Sequence, residues 1–261
     1  MHRPTIRLAL PRLTVLALLV LTVLAQLALS SAADAAGVAL RWNSCKGESN
    51  RNFACDRSTG SEVLVGSFVA PSTLDLSGVE VNLRITTTEG SVPSWWQMAG
   101  GGRCRATSLS TSFDVSAETE CDDPWMGQAG GGIGYYDMKP PSNWPGQGQG
   151  SPGVFVRMAM AIPQAAVQPI SGGRHYAAFR MLINHSRSSG PGACEGCMTP
   201  ACISIDLMKL TTPVGRYDVD LTTAVTGMSA GNVAMWQGGT PTCSAGAAKS
   251  STWADVKRRY K

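Results

Sequence analysis

VEVNLRITT, residues 79–87, alternates apolar and polar side chains without a break. Val79, Val81, Leu83 and Ile85 fall on one side, Glu80, Asn82, Arg84 and Thr86 on the other. A period of two is the mark of a strand with one buried face. Upstream, residues 62–69 (EVLVGSFV) read as a second strand. Ala70-Pro71-Ser72-Thr73 ends it, and Asp75-Leu76-Ser77-Gly78 turns the chain into the next. Downstream, residues 154–162 (VFVRMAMAI) are apolar on both sides apart from Arg157, as a covered central strand should be. Residues 176–184 set Ala177, Phe179, Met181 and Ile183 against Tyr176, Arg180 and Asn184, and residues 202–210 and 217–225 supply further strands.

Strands that are each half buried need a second layer to cover their apolar faces. The pattern therefore predicts an all-β fold, a two-sheet β-sandwich of jelly-roll type. Between the strands, residues 100–153 are rich in glycine and read as large loops around short strands. One helix is expected, short and C-terminal: Thr252-Trp253-Ala254-Asp255 has capping-box spacing, and Trp253, Val256 and Tyr260 share a face. Lys257, Arg258, Arg259 and Lys261 suit the negative end of its dipole. That helix is expected to close one end of the sandwich; the alternative is a basic docking tail for an envelope polymer.

The first residues read differently. Arg3, Arg7 and Arg12 precede an apolar run from Leu13 to Leu29, and small residues follow, with Ala33 and Ala35 at the −3 and −1 positions of a cleavage site. This is the layout of a secretory signal peptide over residues 1–35, leaving residues 36–261 as a single secreted domain. No second apolar run approaches the ~20 residues of a membrane helix, so no membrane span is expected after cleavage. The formal charge of +4 is too small to point to nucleic acid.

All eight cysteines, Cys45, Cys55, Cys104, Cys121, Cys194, Cys197, Cys202 and Cys243, lie downstream of the leader. In an oxidising compartment they are expected to form disulfides. Sequence order suggests Cys45–Cys55 and Cys104–Cys121 as local loops. The last four would then pair as Cys194–Cys197 with Cys202–Cys243, or as Cys194–Cys202 with Cys197–Cys243. Eight cysteines allow 105 full pairings, and spacing does not choose among them. CEGC (194–197) could instead be a thiol-exchange pair or part of a zinc knuckle. It leads into a strand rather than opening a helix, and no second knuckle accompanies it.

His175 and His185 flank one predicted strand and are expected to close its core. There is no H-E-x-x-H or P-loop pattern, and no catalytic residue and no cofactor is expected. Asp114, Glu118, Glu120, Asp122 and Asp123 surround Cys121 and are weak calcium candidates; two of them could also serve a carboxylate-dependent hydrolase. Trp95, Trp96, Trp125 and Trp144 lie in turn-rich sequence and are candidates for stacking on sugar rings. Burial is expected for most of them, with Trp125 and Trp144 the exposed pair because Pro and Gly surround both.

Four elements occur together: Ser94-Trp95-Trp96-Gln97; Cys104 followed by Thr107-Ser108-Leu109-Ser110; CEGCMTPACI at 194–203; and Thr252-Trp253-x-x-Val256-Lys257-x-x-Tyr260. In these the chain resembles a group of secreted bacterial β-sandwich proteins of uncharacterised activity, over about residues 39–260. The resemblance implies export and a shared fold, and no activity, ligand or site residue. The function expected is a non-catalytic binding or structural module of the cell surface, monomeric, with a glycan or other envelope component as partner. The alternatives are a secreted enzyme, through Cys194 and Cys197 or through carboxylates, and a subunit of a surface assembly.

Overall fold

The alternation of residues 79–87 becomes the middle of a large sheet. A computed structural model describes residues 36–89, 91–98, 102–129, 132–138, 153–213, 218–221 and 231–238. Thirteen strands are present among them: β1 (Gly37–Trp42), β2 (Asn50–Arg51), β3 (Ser61–Val69), β4 (Leu74–Leu76), β5 (Gly78–Thr87), β6 (Leu109–Ser112), β7 (Ile133–Asp137), β8 (Val154–Ala161), β9 (Gln168–Ile170), β10 (His175–Asn184), β11 (Ala201–Thr211), β12 (Val219–Leu221) and β13 (Val233–Trp236). The expected all-β character is what the chain has. The expected leader, Trp144, Cys243, the expected C-terminal helix and most of the strand expected over 217–225 lie outside the described residues. No helix among the described residues is long and apolar enough to cross a membrane.

Two sheets carry the fold. One runs β1-β3-β10-β6; the other runs β2-β13-β11-β5-β8-β7, with β12 also on β11. The pairings are antiparallel, apart from the parallel contact of β13 with β2. The chain changes sheet repeatedly, and two of the crossings run side by side. The passage from β3 to β5 contains β4, the passage from β8 to β10 contains β9, and these two short strands pair with each other.

The apolar faces meet in one core. Val38, Leu40, Leu64, Phe68, Phe179 and Met181 of the first sheet join Val79, Val81, Leu83, Ile85, Val156, Met158, Ile203 and Ile205 of the second. β8 lies between β5 and β7, the covered position its sequence predicted. Outside the core, the far side of β5 is polar but occupied: Arg84 binds Asp206 on β11, and Arg157 on β8 donates to Asn82 at 2.7 Å.

One strand departs from its expected parity. The register of β10 against β3 shifts between Ala177 and Phe179, and such a bulge moves the side chains before it to the other face. Tyr176, expected opposite Phe179, is therefore in the core and stacks on Phe68 at 5.6 Å. The bulge faces Gly66, where a Cβ would lie 1.9 Å from the Phe179 ring.

Candidate functional site: a cystine-framed cleft

Trp95 and Trp96 form a single 3₁₀ turn, Ser94–Trp96, and both indoles are fully buried. They belong to an aromatic hub with Trp236 of β13, which lies 4.9 Å from Trp95 and 5.6 Å from Trp96 between ring centroids. Phe53 stacks on Trp236 at 4.2 Å, and Trp42 meets Phe53 edge-on. Trp236 Nε1 donates to the carbonyl of Cys197 at 2.7 Å. The Gln237 side chain donates to the Phe53 carbonyl and accepts from the Phe53 amide. The hub thus fastens the CEGC loop from beneath.

From the side, the loop is held by main-chain and hydroxyl bonds. The Trp95 amide donates to the Glu195 carbonyl at 2.8 Å, the Glu195 amide donates to Ser94 Oγ, and Trp95 Nε1 donates to Ser188 Oγ. Gly196 sits at φ +103°. A Cβ there would fall 2.2 Å from Pro93, so this turn of the loop requires glycine.

Arg105 is the unexpected member. Its side chain is buried, its guanidinium lies 3.6 Å from the centre of the Trp95 ring, and it donates to the carbonyls of Ser186 and Trp95 at 2.9 and 2.8 Å and to that of Asn184. Burial pulls its pKa down from the usual value. The three carbonyls and the indole face supply what water would. Beside it, the Tyr136 hydroxyl donates to the Trp96 carbonyl and accepts the Met98 amide, and burial pushes its pKa up to about 12. Nothing in the spacing around Arg105 sets it apart from a surface arginine; its one signal is its place next to Cys104.

The disulfides correct the expected pairing. They join Cys45 to Cys121, Cys55 to Cys197 and Cys104 to Cys194, across 76, 142 and 90 residues. In these three bridges cysteines adjacent in order do not pair, because the fold brings together loops that are far apart along the chain. Cys202 is also disulfide-bonded. Cys194 and Cys197 bond to different partners, so the bond that a C-x-x-C redox pair closes within itself is not formed.

Two of these bridges, Cys55–Cys197 and Cys104–Cys194, border an open cleft of about 510 Å³. Thr88, Glu89, Ser188, Gly196, Met198, Thr199 and Pro200 complete its wall. Thr199 Oγ1 donates to Glu89 at 2.8 Å. Met198 is 66 % exposed, an apolar side chain held out beside a polar rim. Its base is held by two disulfides and the aromatic hub, and the cleft is open above.

The other sequence candidates lie elsewhere. Trp125, expected to be exposed, is only 1 % exposed. Asp123 accepts the amides of both Trp125 and Gly127, closing a turn in which Met126 takes φ 52° and points outward in place of the indole. With Trp95, Trp96 and Trp125 all buried, none presents a ring face for a sugar. The five carboxylates are engaged separately. Asp114 accepts from Ser116, Glu118 from the Cys45 amide and Glu120 from Ser44 Oγ; Asp122 pairs with Arg174 at 2.6 Å. His185 is buried against Glu62 at 2.8 Å, and His175 Nε2 lies 2.8 Å from Ser67 Oγ.

No known family model matches this chain, and no curated protein matches it.

Proposed function

We propose that the chain is an exported, non-catalytic, monomeric binding module of the cell surface, and that the cystine-framed cleft is where it binds. The observation that carries this reading is the cleft itself: one apolar side chain, Met198, stands over a rim of hydroxyls and a carboxylate, on a base fixed by two disulfides and the aromatic hub. A wall fixed before binding loses little conformational entropy when a ligand arrives. The ligand class is a glycan or another polyhydroxylated envelope component. Thr88, Ser188, Thr199 and Glu89 offer the donors and acceptors such a ligand needs, and Met198 offers an apolar surface for the C–H face of a sugar ring.

Export is supported by the leader over residues 1–35 and by disulfides that persist in oxidising compartments. We read the sandwich as a jelly roll, supported by repeated crossings between two antiparallel sheets around one core. The test is a titration of the protein against a broad panel of cell-wall glycans, read by tryptophan fluorescence through Trp236. Binding should weaken about tenfold or more, roughly 1.4 kcal/mol, in Met198→Asp and in Glu89→Gln. A flat titration across the panel, or affinity unchanged in both variants, defeats the proposal.

A further inference from the structure

The Cys45–Cys121 bridge lies beside His175, and the two sulfurs and a ring nitrogen of His175 all fall within 4.8 Å of one another. Tetrahedral zinc takes thiolate sulfur at about 2.3 Å and imidazole nitrogen at about 2.0 Å, which puts its two sulfurs about 3.8 Å apart. The three side chains are already gathered on that scale. Other contacts besides the disulfide hold them there. The Asp122 amide donates to the His175 carbonyl and the Ala177 amide to the Asp122 carbonyl, both at 3.0 Å, clamping the residue after Cys121 onto β10. Ser44 Oγ binds Glu120 and the Cys45 amide binds Glu118, tying Cys45 to the turn that carries Cys121. The imidazole is oriented by its Nε2 contact with Ser67 Oγ, the kind of outer hydrogen bond that sets a histidine for a metal.

We propose that the reduced chain binds one zinc ion through Cys45, Cys121 and His175, and that oxidation replaces this site with the disulfide. Two equivalents of an external thiol break the sulfur–sulfur bond. They supply two electrons and two protons, leave as their own disulfide, and yield the two cysteine thiols. Zinc then displaces both thiol protons and takes the neutral imidazole as third ligand, with the fourth position left to water or a nearby carboxylate. Either state joins residue 45 to residue 121, so zinc holds the newly exported chain in register until an external disulfide accepts two electrons from the two thiolates, leaves as two thiols, and Zn²⁺ is released as the bridge closes. Metal binding of this kind is coupled to folding.

The test uses the full chain, reduced under argon with a phosphine and titrated with Co²⁺ as an optical stand-in, then with Zn²⁺ in competition. Each step is followed by alkylation and peptide mapping. The expected result is one equivalent of metal with a thiolate-to-cobalt band, and protection of Cys45 and Cys121 while Cys104 and Cys194 react. His175→Gln should weaken binding about tenfold or more, given that even outer-shell losses cost that much; its oxidised form melting like the parent serves as the folding control. Cys104→Ser should leave the site unchanged. Protection of no pair or of a different pair, or binding indifferent to His175→Gln, overturns the proposal.

Discussion

Arg105 carries its charge inside the protein and meets carbonyls there, with no carboxylate salt bridge among the described residues. A buried cation is costly unless its donors are all met, and the planar guanidinium reaches Ser186, Trp95 and Asn184 at once while lying on an indole. Lysine has one compact head and cannot repeat that geometry. Arg105→Lys should therefore behave almost as badly as Arg105→Ala, each losing about 2–4 kcal/mol in urea unfolding as carbonyls go unpaired. Stability retained in the lysine variant would show that charge alone is what matters. At Gly66 the limit is space, since a methyl group would enter the Phe179 ring. Gly66→Ala should lose about 1–3 kcal/mol by overpacking, and Phe179→Leu in the same chain should recover part of it. Additive losses in the double variant would separate the two positions.

At the scale of elements, strands were legible where a period of two (β5) or a long apolar run (β8) marked them, and β1 carries neither signal. Residues 79–87 announced β5 because polar and apolar positions alternate, and the strand uses that alternation as expected. β1 is buried at all six positions, so GVALRW shows no alternation, and Arg41 is accommodated by donating to the carbonyls of Leu40 and Gly231. The parity of β10 was readable only up to its bulge, since a register shift depends on Gly66 across the sheet rather than on local sequence. Trp125 was misplaced for a related reason: Pro and Gly correctly marked a turn, but the Asp123 bonds decide which side chain the turn sends outward. β7 brings its own prediction through Tyr136. Its phenol is held neutral to about pH 12 in the fold but ionises at about 10 in an unfolded chain. The proton is bound more tightly when folded, so this contribution to stability is complete below about pH 10 and is lost as pH rises toward 12. An ultraviolet titration of the native protein should show a tyrosine ionising near that upper value, and Tyr136→Phe should remove it. An unchanged titration in the variant would mean that the hydroxyl is not held as described.

For the whole molecule, the disulfides set the scale of stability. Bridges closing 76, 142 and 90 residues each restrict the unfolded chain by about 4–5 kcal/mol on the loop-entropy account. Together that rivals the total stability of about 5–15 kcal/mol typical of a domain. In reductant without metal the melting transition should fall sharply or vanish; a melting temperature unmoved by confirmed reduction would contradict this. The cysteine count made the staples readable, but their partners were not, because the contacts that choose them exist only after distant strands have paired. The candidate cleft was hidden for the same reason. Its wall combines residues 55, 88–89, 188, 194 and 196–200, and only the cysteines and the segment around 194–200 stood out in sequence.

CEGC acts as a clamp that builds the cleft rather than as a redox pair, and one measurement reaches that directly. A non-reducing digest of the oxidised protein, mapped by mass spectrometry at low pH to prevent exchange, should yield peptides linked as Cys55–Cys197 and Cys104–Cys194, with no reactive thiol at 194 or 197. A Cys194–Cys197 linkage, or free thiols at those positions, would contradict it.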